Sequence, residues 1–321
     1  MSNNSQFTIE QSMEKLHYRS FDEWVKNFAL NLENIWNESS AGALMPHNQS
    51  FQNESAIIIG RGPSVKKKNH LEILANSNFN GTIICCDGML KHALQCGVTP
   101  KKFPKFYVVS IDPYSPAQEF YEDEIIRKYG SSINGIFSTI VNPATVANAR
   151  NAGIKIHWLH SLFDYHEGKK SFNQLSALII RSKKNSGLPA IQTGGNVGTS
   201  SWFVGWKILK CNKICLIGIN HGWEESDSWE KIISHGSDLV DTSVVNQNSP
   251  LFKKLFKTLH NPDFNCNCIV DPLFQFYSSA LKEFISRSPE WLTTINATEG
   301  GSIFGNRIHG MKLQEFLDMK N

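Results

Sequence analysis

The sequence predicts an α/β chain: a Rossmann-like, doubly wound, mostly parallel sheet with helices on both faces, preceded by a helical N-terminal extension. Three observations carry this. Short β-branched runs alternate with helix-like stretches from Ala56 onward, most runs are apolar on both faces as buried parallel strands are, and several are followed by segments dense in Gly, Asp, Asn and Ser. A length of 321 residues is ample for such a core, and 40% apolar against 19% charged residues is a folded composition rather than a disordered one.

Residues 1–54 read as the helical extension and a linker, and 55–321 as the catalytic domain. Ser20-Phe-Asp-Glu23 has the form of a capping box, and Trp24, Phe28, Leu32, Ile35 and Trp36 then recur at helical spacing. That stripe needs cover, which the main domain supplies in the plain reading and a partner or a second copy of the chain supplies in the other. Polar, Gly- and Pro-containing 39–54 reads as a loop. Strands are expected over 56–59, 82–86, 106–111, 135–140, 154–158 and 213–219, with helices over 66–76, 88–96, 116–129, 143–152 and 197–210. After Asn220 the pattern loosens. Residues 222–250 read as a long loop or lid, 271–287 as a helix with Leu273, Phe274, Tyr277 and Leu281 on one face, and the chain closes with a strand near 292–295 and a helix near 312–317.

Composition excludes several classes. With 32 Lys and Arg against 29 Asp and Glu, the net charge of +3 gives no general case for a nucleic-acid binder. No apolar run approaches the roughly 18 residues of a membrane span, and the polar start lacks the plan of a signal peptide, so a cytoplasmic location is expected. The seven cysteines form no CxxC pair, and Cys85, Cys86 and Cys215 sit in apolar runs, which points to buried thiols rather than zinc or disulfides. GxSxG, HExxH and the kinase HRD and DFG motifs are absent, against hydrolase, zincin and protein-kinase readings.

Ligands of an open parallel sheet bind beyond the carboxyl ends of its strands. After the first core strand comes Gly60-Arg-Gly-Pro-Ser64. Gly60 and Gly62 permit a tight turn, Pro63 suits a first helical turn, Ser64 offers a hydroxyl and Arg61 a guanidinium, so free amides here would receive a phosphate; a plain structural turn is the alternative. Asp87 and Asp112 each follow an apolar strand and could share Mg²⁺ or hold a ribose, or each could simply cap the next helix. In the run from Gln192 to Ser201, Gly194, Gly195, Asn196 and Thr199 could present amides and hydroxyls to a second phosphate or a sugar, or serve packing. Asn220 and His221 follow the last strong strand, where Asn220 can donate and accept and His221 can carry a proton, although a lone histidine is more often structural. Glu299 and Gly300 could hold a substrate hydroxyl or amine, or fix their loop.

Gly60-Arg-Gly-Pro-Ser64, Cys86-Asp-Gly88 with Gly97-Val-Thr-Pro100, Ile111-Asp-Pro113, Gly195-Asn-Val-Gly198, Leu216-Ile-Gly218 and Asn296-Ala-Thr-Glu-Gly-Gly301, in this order, resemble the MptE-like family. That family includes archaeal 6-hydroxymethylpterin diphosphokinases and the central domain of flagellin-modifying motility accessory factors. The resemblance spans roughly residues 55–305 and departs from the expected pattern at Asn220, where an Asp is anticipated. It implies a Rossmann-like fold and one of two transfers. In the first, ATP gives its diphosphate to 6-hydroxymethyl-7,8-dihydropterin with Mg²⁺ assisting. In the second, a nucleotide-activated sugar of the CMP-nonulosonate type passes to a hydroxyl. The first leads: Gly60–Ser64 hold phosphates, Asp87 and Asp112 position the metal, and Asn196, Asn220 and His221 contact acceptor or base. The second also asks for a general base, with His221 or His235 as candidates. The expected partners are a nucleotide donor and a small-molecule acceptor, with a homo-oligomer left open.

Overall fold

The computed structural model describes residues 9–46, 52–164, 170–236 and 248–319. Its strands are β1 (Ser39–Ser40), β2 (Gln52–Ile59), β3 (Thr82–Cys86), β4 (Phe106–Ser110), β5 (Asn134–Ser138), β6 (Lys155–Ser161), β7 (Ala190–Ile191), β8 (Cys211–Ile217), β9 (Trp223–Glu224), β10 (Lys257–Asn261), β11 (Cys266–Val270), β12 (Thr293–Asn296) and β13 (Ile308–Gly310). The main sheet runs β1-β6-β5-β4-β3-β2-β8-β12-β13, with β7 added beside the end of β6. Its pairings are all parallel. The chain therefore winds from β2 through β6 in one direction, then returns to lay β8 on the other side of β2. The switch point lies between β2 and β8. A small antiparallel sheet, β10-β11-β9, sits apart.

Strand sequences explain the layering. In β2, Ile57 and Ile59 belong to one core and Ala56 and Ile58 to the other; in β8, Cys215 and Ile217 alternate in the same way with Ile214 and Leu216. A strand apolar on both faces can be solvated on neither, so helices must cover both. Each fully buried Ile in this layer contributes roughly 1.5–3 kcal/mol of transfer free energy. Cys85, Cys86, Cys211, Cys215 and Cys268 are buried free thiols, and Cys96 and Cys266 are free and half-buried.

The first helix, Ile9–Asn37, is longer than expected. Ser20 lies inside it, so the capping box does not form; the run before it holds no Gly or Pro to stop the helix, and the Ser20 hydroxyl instead meets Tyr114 Oη at 2.6 Å. The helix buries Phe28 and Ile35 in the core beneath the sheet. Asn27 Nδ2 donates to the carbonyls of Pro113 and Ile140, and Asn31 Nδ2 to those of Thr139 and Val141, which fastens the helix across the carboxyl ends of β4 and β5.

Two further expectations are corrected. The segment read as a loop over 39–54 supplies β1, a 3-10 turn at Ala41–Leu44 capped by Ser40, and the start of β2. The segment read as a lid over 222–250 contains β9, the helix Trp229–Gly236 and the start of the helix Pro250–Leu255, while 237–247 lie outside the described residues. Eight residues are too few for a period to register in sequence, although Ile232 is fully buried. No helix among the described residues is long and apolar enough to cross a membrane.

Candidate active site at the carboxyl ends of the strands

At the switch point the loops after β2 and β8 close on each other. Gly60 N donates to Ile217 O at 2.8 Å and Gly62 N to Gly218 O at 2.7 Å. A Cβ on Gly60 would lie 2.4 Å from Gly218 O, one on Gly62 2.1 Å from Asn220 Oδ1, and one on Gly218, whose φ is +66°, 2.4 Å from Gly60 O. The approach of two backbones is by itself enough to require these glycines. Of the turn expected to cradle a phosphate, two amides are already bonded, Pro63 has none, and the helix that follows, Ser64–Lys67, is a single turn. Ser64 is buried with its hydroxyl donating to Asn220 Oδ1 at 3.0 Å. Arg61 alone of this turn projects its charge, with its guanidinium 5.6 Å from the Phe120 ring.

The second glycine segment is likewise self-satisfied. Gly194 and Gly195 have φ of +55° and +82°, which sets Asn196 as the cap of the helix Val197–Phe203. Thr199 N donates to Asn196 Oδ1 at 2.9 Å and Thr199 Oγ1 accepts from Asn196 Nδ2 at 3.1 Å, while Gly195 N donates to Thr193 Oγ1. Thr199 is fully buried, so its expected contact with a phosphate is not available from this arrangement. Glu299 sits 3.3 Å from Nε2 of buried His70, and Gly301 packs on the Asn220 backbone, so this loop is tied to its neighbours. Gly300 meets nothing closer to an added Cβ than Cys266 Sγ at 3.7 Å.

Chemistry gathers on the two flanks of the switch point. On the β3–β4 side, Asp87 is buried; Oδ2 accepts from Ser110 Oγ at 2.6 Å and Oδ1 from Gly88 N at 2.8 Å. Burial pushes its carboxyl up to about 6; the Ser110 and Gly88 hydrogen bonds oppose this, Asp112 adds to it, and Arg61 reduces it. Burial also raises Asp112, against the hydrogen bond that Oδ1 accepts from Tyr114 N at 2.8 Å. Asp87 thus feels both Asp112 and Arg61, and both carboxyls lie above their ordinary range. Mg²⁺ takes one or two carboxylates and fills its other positions with water and phosphate oxygens, and these are the two carboxylates that could serve it here. Among the described residues no group of three or more His, Cys, Asp or Glu is arranged as a metal cage. Sequence reasoning missed Ser110; a Ser closing an apolar strand two residues before an Asp is the signal that points to it.

On the β8 side, His221 is buried with φ of +39°, its ring stacked 6.1 Å from Phe274 and its Nδ1 without a hydrogen-bond partner. Burial lowers it to about 3, with Lys282 adding to the effect. At neutral pH this ring, expected as a proton carrier, is the neutral imidazole. Tyr277 lies tilted against the His221 ring at 5.8 Å and also packs close to Gly195. His235 also packs on Phe274, at 4.5 Å, with Nδ1 2.7 Å from Oδ2 of fully buried Asp271. In the sequence Asp271 is legible only as a helix start before Pro272. A cavity of about 440 Å³ opens elsewhere, beyond β6 and β7 between His160, Asn173, Arg181 and Leu188, and contains none of the predicted site residues.

A family model described as 6-hydroxymethylpterin diphosphokinase MptE-like matches residues 26–226, more than half of the chain. No curated protein matches the chain. Among solved structures, the MAf glycosyltransferase from Magnetospirillum magneticum AMB-1 superposes with a TM-score of 0.54 at 14% identity, covering 88% of this chain and 39% of that one. The chain thus spans well under half the length of that neighbour, and at this identity the likeness shows the fold. Prephenate dehydrogenase from A. aeolicus, with hydroxyphenyl propionate and NAD+, aligns at 14% identity over 64% of this chain and 75% of that one, with a TM-score of 0.19 that carries no fold inference. From the matched span, which runs from within the first helix through the β2, β3, β4 and β8 loops, the chain belongs to the MptE-like family.

Proposed function

We propose that this protein is a transferase that takes a phosphate-bearing nucleotide donor beside Asp87, Asp112 and Arg61 and passes the activated group to a hydroxyl. Glycosyl transfer from a nucleotide-activated sugar, of the CMP-nonulosonate type, is the reading the geometry supports best. One observation carries it: Arg61, the cation of the first glycine turn, is set against the Asp87 carboxyl beside Asp112, while the amides of Gly60, Gly62, Gly195 and Thr199 are bonded within the protein. A triphosphate brings several times the charge of the single phosphodiester in a CMP-sugar and would need more compensation than one guanidinium gives. The fold likeness to a protein titled a glycosyltransferase supports the same reading.

In this scheme Arg61 pairs with the donor phosphate, and Asp87, oriented by Ser110 and Gly88, accepts from ribose or base hydrogens. Catalysis then rests on alignment and on neutralising the leaving phosphate, with no covalent nucleophile required. Mg²⁺ held by Asp87 and Asp112 would add charge neutralisation at that phosphate.

A second reading, transfer of diphosphate from ATP to 6-hydroxymethyl-7,8-dihydropterin, is favoured by the family's description and by the paired carboxylates, which suit a Mg²⁺–nucleotide. A thermal-shift panel of CMP, CDP, UDP, GDP, AMP and ATP, with and without Mg²⁺, separates the two. Selective stabilisation by CMP supports glycosyl transfer; ATP with Mg²⁺, followed by pterin-dependent AMP release, supports the other. No shift with any nucleotide contradicts both.

A further inference from the structure

The region after residue 226 lies beyond the family match, yet it brings aromatic rings against the loops that follow the strands. Phe274 and Tyr277 come from the helix Pro272–Ser286, and they meet His221 and Trp223 at the end of the matched span. Phe274 contacts two histidine rings, His221 at 6.1 Å and His235 at 4.5 Å, and Tyr277 extends these contacts to Gly195. His235, in the last turn of the helix Trp229–Gly236, is therefore joined to the carboxyl-end loops by an unbroken run of ring contacts.

The geometry of His235 differs from that of every other histidine described. Its Nδ1 faces Asp271 Oδ2 at 2.7 Å, and the same oxygen accepts from Trp223 Nε1 at 2.6 Å. Asp271 Oδ1 accepts from Phe274 N at 2.9 Å. An indole is a donor only, so Asp271 is held as an acceptor, and Nδ1 of His235 must carry the hydrogen between them. That assigns the lone pair of the neutral ring to Nε2. The Asp271 side chain is 0% exposed and that of His235 is 28% exposed, so the orienting carboxylate is dry while the ring still reaches solvent. A base fixed in tautomer by a buried carboxylate, on a ring that still reaches solvent, is the arrangement a proton acceptor needs. By contrast, His70 and His221 are buried, and His160 has partners on both nitrogens.

We propose that His235, positioned by Asp271, is the general base that activates the acceptor hydroxyl; this rests on the transferase reading above. As the acceptor oxygen bonds to the anomeric carbon, the bond from that carbon to the donor phosphate oxygen breaks and the nucleotide leaves with the electron pair. The hydroxyl proton passes to Nε2 of His235, the imidazolium is paired with Asp271, and the proton is released to solvent through the exposed edge of the ring. Trp223 and Phe274 restrict the ring's rotation, so that the lone pair keeps one direction.

The full chain tests this in two arms. In the first, His235→Ala is assayed with the nucleotide-sugar whose nucleotide gives the largest thermal shift. The expectation is a loss of turnover of at least ~100-fold, an unchanged nucleotide shift, and partial recovery with added imidazole. Turnover within about threefold of the parent, or loss of the nucleotide shift together with turnover, overturns the proposal. The second arm needs no substrate: diethyl pyrocarbonate is added and carbethoxylation of each histidine is followed by mass spectrometry. His235 should react faster than His92 and His260 on exposed surfaces, and Asp271→Asn should slow it about tenfold or more. A rate no faster than theirs overturns the proposal. Fast reaction at His235 in a protein that binds no nucleotide removes the transferase reading instead, and with it the acceptor role.

Discussion

At the switch point, Gly60, Gly62 and Gly218 bring two backbones to within hydrogen-bond distance and leave no room for a Cβ. One and two strands away, Asp87 and Asp112 follow β3 and β4 with both carboxyls raised by burial, and Arg61 is set against Asp87. The first region is tightly satisfied and chemically quiet, whereas the second holds partly desolvated charge. The contrast teaches that a glycine-rich turn at the head of a Rossmann-like sheet can serve the meeting of two loops, while the reactive groups sit on its flanks. Desolvated carboxylates cost stability, and clusters of them concentrate where a fold uses their chemistry.

The contrast can be broken most forcefully at Gly218. Its φ of +66° and the 2.4 Å approach of Gly60 O leave an alanine with both strain and overlap. Gly218→Ala should lower stability by ~3–5 kcal/mol or prevent folding, measured by urea unfolding. A loss under about 1 kcal/mol would show that the loops are not locked.

Asp87→Asn should do the reverse. Donor turnover is expected to fall at least ~100-fold, about 3 kcal/mol in the transition state. The melting temperature at neutral pH should hold or rise. The sign follows from the pKa: the folded carboxyl titrates near 6 and the unfolded one near 3.8, so the folded state binds the proton more tightly, and stability falls as pH rises between those values. The variant should flatten that slope in a pH series of thermal melts.

His221→Phe sharpens the other flank. The folded ring is depressed to about 3 from 6.5, so its contribution is complete above about pH 6.5 and is lost as the pH falls towards 3. Removing it should relieve acid destabilisation by about 2 kcal/mol between about pH 6.5 and pH 5, read by denaturant titration. Smallest of all should be Lys67→Ala. Its 2.6 Å pair with Glu224 is exposed on both sides, and the change should shift stability by less than about 0.5 kcal/mol in the same titration.

Much of the architecture is legible because it is written in long apolar runs. Strict apolar–polar alternation is absent from the central runs of β2 and β8, and their continuous burial requires helices on both faces, which the structure has. The order of loops at the carboxyl ends is equally readable, since an Asp or a Gly-rich turn directly after a strand has few other places to go. What the sequence conceals is hydrogen-bond accounting. Gly60, Gly62 and Thr199 look like free donors, and nothing local reveals that Ile217, Gly218 and Asn196 consume those donors, because the partners are distant in sequence or hidden in the cap itself. Asp271 and His235 are 36 residues apart, and the helix between Trp229 and Gly236 is too short to announce itself. The capping box at Ser20 fails for a related reason: the motif describes a helix start only where the preceding residues leave the helix, and here they continue it.

The central claim is that the Arg61 guanidinium beside the carboxylates, rather than the backbone amides of the glycine turn, receives the donor. Calorimetric titration of CMP into the intact protein and into Arg61→Ala tests it most directly, since Arg61 is the cation set against Asp87 and is exposed rather than part of the core. The account predicts measurable binding to the parent protein, weakened about tenfold or more by the substitution with stability unchanged. Equal affinity in both proteins would contradict it.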